Sequence, residues 1–449
     1  MAMIRRFILC LLLMAFCSGA HAAQTNAIVW HKADDRVDAD VRGMALWPLL
    51  EQIAAAADWR IFVEPGLERD VSAKFQNLSS GDALKMLLGD LNFALVPKTN
   101  APSQLYVFRT TMQNATKQIR AGKTPRKVAN ELLVRVKPGT DMDALAKLIG
   151  AKIVARSDKD GIYRLRFDDE AATDAALNML KNNNDVTSVD YNYYLDPPAS
   201  PQLLNGVAPL GDVNLKLTPS TDSGKVVIGL IDTSVQSLGD LDKFISQRLS
   251  VADGTPDNSD LLHGTGMAET ILRALAAAQD GNSSVQIVSV DVYGSGATAT
   301  TWNVALGIQA AVNNGANILN LSLGGAGESS VLNSLVQQAV AAGIPIYAAA
   351  GNEPVNTATY PAAYTGVHAV TATQNGQLAS YANYGSFIVL ALPGQNIVYL
   401  GNQAYIMQGT SVSTAYATGI AAGNKVSSGA SWGTIEAAMQ QKFPMPATK

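Results

Sequence analysis

From residue 226 onward, short apolar runs alternate with longer stretches in which small and apolar side chains recur at helical spacing. Runs at 226–232, 286–293, 317–323, 344–350, 367–372 and 387–392 have strand length and an apolar bias on both faces, as strands covered on both sides do. Between and after them, 263–278, 301–314, 330–342, 411–424 and 431–443 predict helices. This alternation predicts an α/β domain over 201–449, built on a doubly wound, mostly parallel sheet.

Two smaller patterned blocks precede it, both α+β. In the first, 23–110, a one-striped helix at 44–54 is followed by strands at 59–63 and 71–78, a helix at 80–88, and strands at 92–96 and 104–108. The stretch 111–130 is polar, holds five Lys and Arg and no acid, and reads as a linker. The second block, 131–200, has strands at 131–137, 152–155, 162–167 and 186–194 with helices at 142–149 and 171–181, a split β-α-β unit. It ends in the tail Tyr194-Leu195-Asp196-Pro197-Pro198-Ala199-Ser200-Pro201, which its prolines keep extended.

Composition narrows the setting. The chain has 449 residues, 47% hydrophobic and 16% charged, which suits a well-buried globular protein of about two to four domains. Arg5 and Arg6, the apolar stretch 7–16 and Ala20-His21-Ala22 form a secretory leader, 1–22, cut before Ala23. The apolar stretch is too short to span a bilayer, and bulky Phe16 disfavours a lipoprotein signal at Cys17. Cys10 and Cys17, the two cysteines, leave with the leader, so the mature chain has neither disulfide nor thiol. Net charge is −4, or −6 once Arg5 and Arg6 are gone, which argues against nucleic acid or an anionic membrane as partner.

Four fragments carry candidate chemistry. The run 226–232 ends on Asp232, and His263-Gly264-Thr265 opens a helix of small and apolar residues. Ser411 sits in Gly409-Thr410-Ser411 at the start of another helix, near unpaired N–H groups and the positive end of the dipole. The run 344–350 leads through Gly351 to Asn352, whose amide can donate to an oxyanion together with the Ser411 N–H. Each fragment alone reads as a cap or a turn. Their order, with Asp232, His263 and Ser411 spaced by 31 and 148 residues, suits acid, base and nucleophile in acyl transfer. The end of the run 317–323, at Ser322, Leu323 and Gly324, is placed to pair with an extended peptide as an added strand. His31 and His368 read as structural strand residues, and the histidines are too few and too badly spaced for a metal site.

Together these fragments resemble the subtilisin-like serine peptidases over 205–445, through Asp232-Thr233-Ser234, His263-Gly264-Thr265, Ser322-Leu323-Gly324-Gly325, Ala350-Gly351-Asn352 and Gly409-Thr410-Ser411. The resemblance implies Asp232 as orienting acid, His263 as general base, Ser411 as nucleophile and Asn352 as oxyanion donor. Ser322, Leu323 and Gly324 then bind substrate, and Ala348, Ala349 and Gly351 line an open primary pocket for an apolar residue. The pattern departs from the family at Ser234, usually Gly, and at Gly266, Met267, Ala268 and Glu269, usually His, Val, Ala and Gly. No cofactor is expected, and calcium, often present in relatives, finds no clear oxygen-ligand cluster.

The block 131–200 resembles the propeptides of subtilisin relatives, which chaperone folding, inhibit through their C-terminal tail and are cut off. The block 23–110, especially 71–96, resembles the short N-terminal domain of secretins and TonB-dependent receptors, a module that docks other envelope proteins. The expectation is an exported serine endopeptidase of the periplasm, cell envelope or exterior, self-processed and docked to an envelope protein, with protein or peptide as substrate. The alternative is a non-catalytic envelope adaptor that binds peptide tails, although a binder has no need of all four site residues.

Overall fold

The computed structural model describes residues 27–446 apart from 33, 65–66, 68, 99–102, 120–124, 197–199, 205–216, 220–225, 279–280 and 401–402. The expected leader with Cys10 and Cys17, and the tail residues 197–199, lie outside the described residues. The chain divides into two units, Met1–Lys117 and Gln118–Lys449.

In the first unit, strands Ala27–His31, Arg36–Ala45 and Asp70–Ser79 form an antiparallel sheet. Strand Arg60–Val63 pairs in parallel with Gln104–Phe108, which pairs antiparallel with Asn92–Val96. Helix Leu46–Ala57 starts two residues later than expected, because Met44 and Ala45 complete the preceding strand. Helix Ser80–Leu88 is capped by the Ser79 side chain, which accepts from the Asp82 amide. Leu49, Leu50, Ile53, Leu84, Leu87 and Leu88 are fully buried.

The second unit begins with a four-stranded antiparallel sheet, ordered Val186–Tyr193, Lys127–Val136, Ile162–Arg166, Lys152–Ser157. Its long strand starts at Lys127, inside the stretch expected as a linker. Lys127 pairs across the ladder with Tyr193, and its ammonium lies 3.5 Å from the centre of the Tyr191 ring. Leu132 and Val134 face this sheet's own helices, whereas Leu133 joins the core of the large domain beyond. Asn192 Oδ1 accepts from the Trp302 amide at 3.2 Å, and Asp190 accepts from the Ser330 and Val331 amides at 2.5 and 3.2 Å. The small sheet thus caps the N-termini of two helices, Thr301–Asn313 and Ser330–Ala341, with polar side chains.

The large domain is a doubly wound α/β fold. Its sheet runs Ile245–Ser250, Val285–Asp291, Val226–Asp232, Ile318–Leu321, Ile346–Ala349, Val367–Gln374, all parallel, with Leu390–Pro393 added in parallel and Gln377–Leu378 antiparallel. Helices Thr301–Asn313 and Ser330–Ala341 cover one face, and His263–Ala278 and Thr410–Ser428 the other. The second pair crosses so closely that a Cβ on Gly419 would stand 2.3 Å from the Ile271 carbonyl oxygen, which explains the small residues after Ser411. The chain winds first to one side of strand Val226–Asp232 and then to the other, so a crevice opens at this strand's carboxyl end.

Candidate active site

Asp232 ends the strand at that crevice, and His263 is the first residue of its helix. Both are buried, and Asp232 Oδ1 accepts from His263 Nδ1 at 2.7 Å and from the Thr233 amide at 2.7 Å. A carboxylate partner puts the proton on Nδ1 and the imidazole lone pair on Nε2. Short bonds lock the two segments together: Gly264 N–H donates to Thr233 Oγ1 at 2.8 Å, and Gln236 N–H to Thr265 Oγ1 at 2.8 Å. A Cβ on Gly264 would meet the Thr233 carbonyl oxygen at 2.1 Å, so only glycine permits this approach. The Asp232-Thr233-Ser234 turn does not need the family's usual glycine, because Ser234 is not among the described residues with positive φ.

Ser411 is the second residue of helix Thr410–Ser428 and is 5% exposed. Its hydroxyl donates to the Ser322 carbonyl at 3.1 Å, and Ser322 Oγ donates back to the Ser411 carbonyl at 3.1 Å. The nucleophile candidate therefore rests against the carboxyl end of strand Ile318–Leu321, not on the imidazole. Asn352 lies at the start of the same helix. Its Oδ1 accepts from the Thr410 amide at 2.8 Å and from Thr410 Oγ1 at 3.1 Å, which fixes the amide and turns Nδ2 away from those donors. Two glycines make this possible. Gly351 has φ +110, and Gly409, at φ +150, would place a Cβ 3.0 Å from Asn352 Nδ2.

Asp291 is the register partner of Asp232 on the adjacent strand and is likewise buried. Burial pushes its carboxyl up from the ordinary range, and the Asp232 charge pushes the same way, against the Gly294 and Tyr293 amides that donate to it. Burial also raises the Tyr293 phenol well above its usual value.

The tail of the small domain enters this crevice. Tyr194 bridges antiparallel to Thr300, Leu195 N–H donates to the Ala299 carbonyl at 2.9 Å, and Asp196 N–H donates to the Gly324 carbonyl at 3.1 Å. Leu195 is 3% exposed and shares a core cluster with Tyr293, Ala299, Trp302 and Leu323. Beyond the tail, Gln202 and Leu203 pair with strand Gln403–Gln408, which leads into Ser411.

The structure thus joins Asp232 to His263, Ser411 to Ser322, and Asn352 to Thr410. Gly324 receives the tail, and Leu323 and Ala349 are buried beside it in the sequence of the two strand ends. Ala348 is fully buried in the core cluster with the helices behind the sheet. His31 is an exposed strand residue bonded to Asp38, and His368 pairs with Glu436 at 3.0 Å. Asp291, Tyr293 and Thr410 were not singled out in the sequence. Asp291 and Tyr293 sit in the mostly apolar run 286–293, and Thr410 reads as part of the serine's own motif. Among the described residues, no group of three or more His, Cys, Asp or Glu is placed to hold a metal ion.

The subtilase family model matches residues 223–443, and that of the fervidolysin N-terminal prodomain matches 113–192. Subtilisin Savinase of Lederbergia lenta is 34% identical over 208 residues, covering 45% of this chain and 76% of that protein. The chain belongs to the subtilase family.

This subtilase is also 37% identical over 215 residues to a thermostable alkaline protease of Halalkalibacterium halodurans, covering 43% of the chain and 55% of that protein. It thus spans about half the length of that relative. A thermophilic serine proteinase of Bacillus sp. strain AK1 is 30% identical over 319 residues, covering 66% of the chain and 77% of that protein. Among solved structures, fervidolysin from Fervidobacterium pennivorans, described as a keratinolytic enzyme related to subtilisin, superposes with a TM-score of 0.52 at 18% identity. It covers 70% of this chain and 58% of its own, and the likeness is one of fold. This subtilase's own departure at Gly266 has a local cause. A Cβ there would stand 2.0 Å from Met407 Sδ, so the methionine fills the space that a larger residue would need.

Proposed function

We propose that the chain is a serine endopeptidase that forms an acyl-enzyme on Ser411. The observation that carries this is the buried Asp232–His263 pair at the mouth of the crevice that holds Ser411 and Asn352. In the reaction, the Ser411 hydroxyl turns from the Ser322 carbonyl to His263 Nε2 and attacks the scissile carbonyl as the imidazole takes its proton. Asp232 holds the ring and stabilises the imidazolium. Asn352 Nδ2 and the Ser411 N–H receive the oxyanion. His263 then returns the proton to the leaving amine, and water releases the acyl group by the reverse steps.

Ser322, Leu323 and Gly324 hold the substrate backbone in this reading, with Gly351 and Ala349 beside the primary pocket. The block 131–200 acts as an inhibitory propeptide, because Tyr194–Asp196 already lies in the crevice as an added strand. The leader-like 1–22 exports the chain, and no helix among the described residues is long and apolar enough to cross a membrane. The first unit keeps its role as a docking module for an envelope protein, on its resemblance to the short secretin and TonB-receptor domain. The chemistry needs no metal or cofactor. A serine-directed fluorophosphonate tests the reading. It labels Ser411, and the labelled chain no longer cleaves a peptide library. A chain that neither reacts nor cleaves is the non-catalytic adaptor instead.

A further inference from the structure

Residues 251–262 lead from strand Ile245–Ser250 to His263 without helix or strand, and 257–260 are exposed. The end of such a loop keeps its place only where its backbone is bonded from outside. One side chain, that of Gln236, supplies such bonds at Asn258, Asp260 and Leu262. Its Nε2 donates to the Asp260 carbonyl at 2.9 Å and to the Asn258 carbonyl at 3.3 Å, and its Oε1 accepts from the Leu262 amide at 2.9 Å. Oε1 also accepts from Thr265 Oγ1 at 3.1 Å, while Thr265 Oγ1 accepts from the Gln236 amide at 2.8 Å. Both N–H donors and both lone pairs of the side-chain amide are thus in use. Reversing it would set oxygen against two carbonyls and nitrogen against an N–H, so its orientation is fixed. The segment that carries Gln236 is anchored in turn. The Val235 carbonyl accepts from Arg248 Nε at 2.9 Å, and the same guanidinium pairs with Asp242. Leu262, which precedes the helix, has no polar side chain to cap it, so Thr233 Oγ1 takes the Gly264 amide and Gln236 takes the Leu262 amide.

We propose that Gln236 is the positioning residue for His263. Its amide fixes where the imidazole stands, through Leu262 on one side of the histidine and Thr265 on the other. This rests on the peptidase reading above and adds a residue to that machinery. Asp232 orients the ring by a single bond to Nδ1, so the ring still moves with the backbone that carries it. The Ser411 hydroxyl rests on the Ser322 carbonyl, and the base has to be in place when the hydroxyl turns to it. A misplacement of about 1 Å in a reacting group costs on the order of 10²-fold in rate. Gln236 touches neither substrate nor reacting atoms in this scheme, and its effect on turnover passes through His263 alone.

Gln236→Met keeps the length of the side chain and removes every bond it makes. Gln236→Glu keeps the acceptor for Leu262 and Thr265 and loses the two donors to Asn258 and Asp260. Peptide turnover by the full chain is expressed per Ser411 labelled by a fluorophosphonate at completion, and intact mass confirms that the same form is compared. In Gln236→Met, kcat per labelled site falls about tenfold or more while KM stays within about two-fold, and Gln236→Glu recovers most of the loss. The short bond from His263 Nδ1 to Asp232 gives a far-downfield proton resonance, which reads the same placement without turnover. In a Ser411→Ala background this resonance is lost in Gln236→Met and kept in Gln236→Glu. Wild-type kcat per labelled site in Gln236→Met, or a loss in KM alone, overturns the proposal. An equal loss in both variants overturns it too, since the bonds flanking His263 would then carry nothing. If wild type neither cleaves nor labels, the peptidase reading falls and the resonance decides: its loss in Gln236→Met upholds the positioning role, and its persistence there overturns it.

Discussion

Leu195→Ala is the perturbation that separates a tail held in the crevice from one merely lying across it. The wild-type side chain is 3% exposed and packs in the core cluster that contains Tyr293, Ala299, Trp302 and Leu323. Truncating a buried leucine costs about 2–5 kcal/mol, and the low end applies where the surroundings can close over the gap, as an end-of-strand position allows. The backbone bonds from Leu195 to Ala299 and from Asp196 to Gly324 survive the change. About 2 kcal/mol corresponds to a crevice open roughly 30-fold more often. The assay is the early rate at which a fluorophosphonate labels Ser411 in the full chain. Intact mass taken in parallel separates processed from unprocessed protein. Leu148→Ala, at a side chain 74% exposed on the small domain, serves as the control and leaves the rate unchanged. A folded Leu195→Ala chain labelled no faster than wild type refutes inhibition by the tail.

Three further outcomes follow from the site. Gly409→Ala combines a strained φ of +150 with a Cβ 3.0 Å from Asn352 Nδ2, so kcat on a peptide substrate falls about tenfold or more while KM changes little. Asp291→Asn keeps an oxygen acceptor for the Tyr293 and Gly294 amides but removes a buried charge beside Asp232. Because burial raises the wild-type carboxyl in the folded state, stability falls as pH rises from the ordinary value of 3.8 through the raised one. Thermal unfolding should therefore show the Asn variant more stable at neutral pH, with the two curves converging below 3.8. Gly266→Ala overpacks against Met407, where a Cβ stands 2.0 Å from the sulfur, and lowers stability by about 1–3 kcal/mol in denaturant titration; Met407→Ala in the same chain restores part of it.

Much of the large domain was legible because its strands are buried on both faces and its helices are either striped or rich in small and apolar residues. Val226–Asp232 and Ile346–Ala349 are apolar runs of strand length, and they are central strands of the sheet. The edge strand Ile245–Ser250 escaped notice, since only Ile245 and Leu249 are apolar and its outer side has no strand partner among the described residues. The hairpin at 395–408 escaped for a related reason: it stands outside the main sheet, in a small sheet completed by Gln202–Leu203 from far upstream. In the first unit, Arg36–Ala45 does alternate, with Val37, Ala39 and Val41 buried, but its aspartates suggest loop. The four reacting groups were readable because acyl transfer fixes residue types as well as order. What sets their geometry was not. Thr410 holding Asn352, Ser322 holding Ser411 and Asp291 beside Asp232 are contacts between segments 58, 89 and 59 residues apart, which no local pattern encodes.

We propose that Ser411, in the crevice that also holds the Asp232–His263 pair, cuts its own chain between Asp196 and Gln202. Intact mass against time on the leaderless chain and its Ser411→Ala variant tests this most directly. Wild type is expected to yield a new N-terminus between Asp196 and Gln202 while Ser411→Ala stays whole. Cleavage at that place in both chains, or in neither while the fluorophosphonate leaves Ser411 unlabelled, contradicts it.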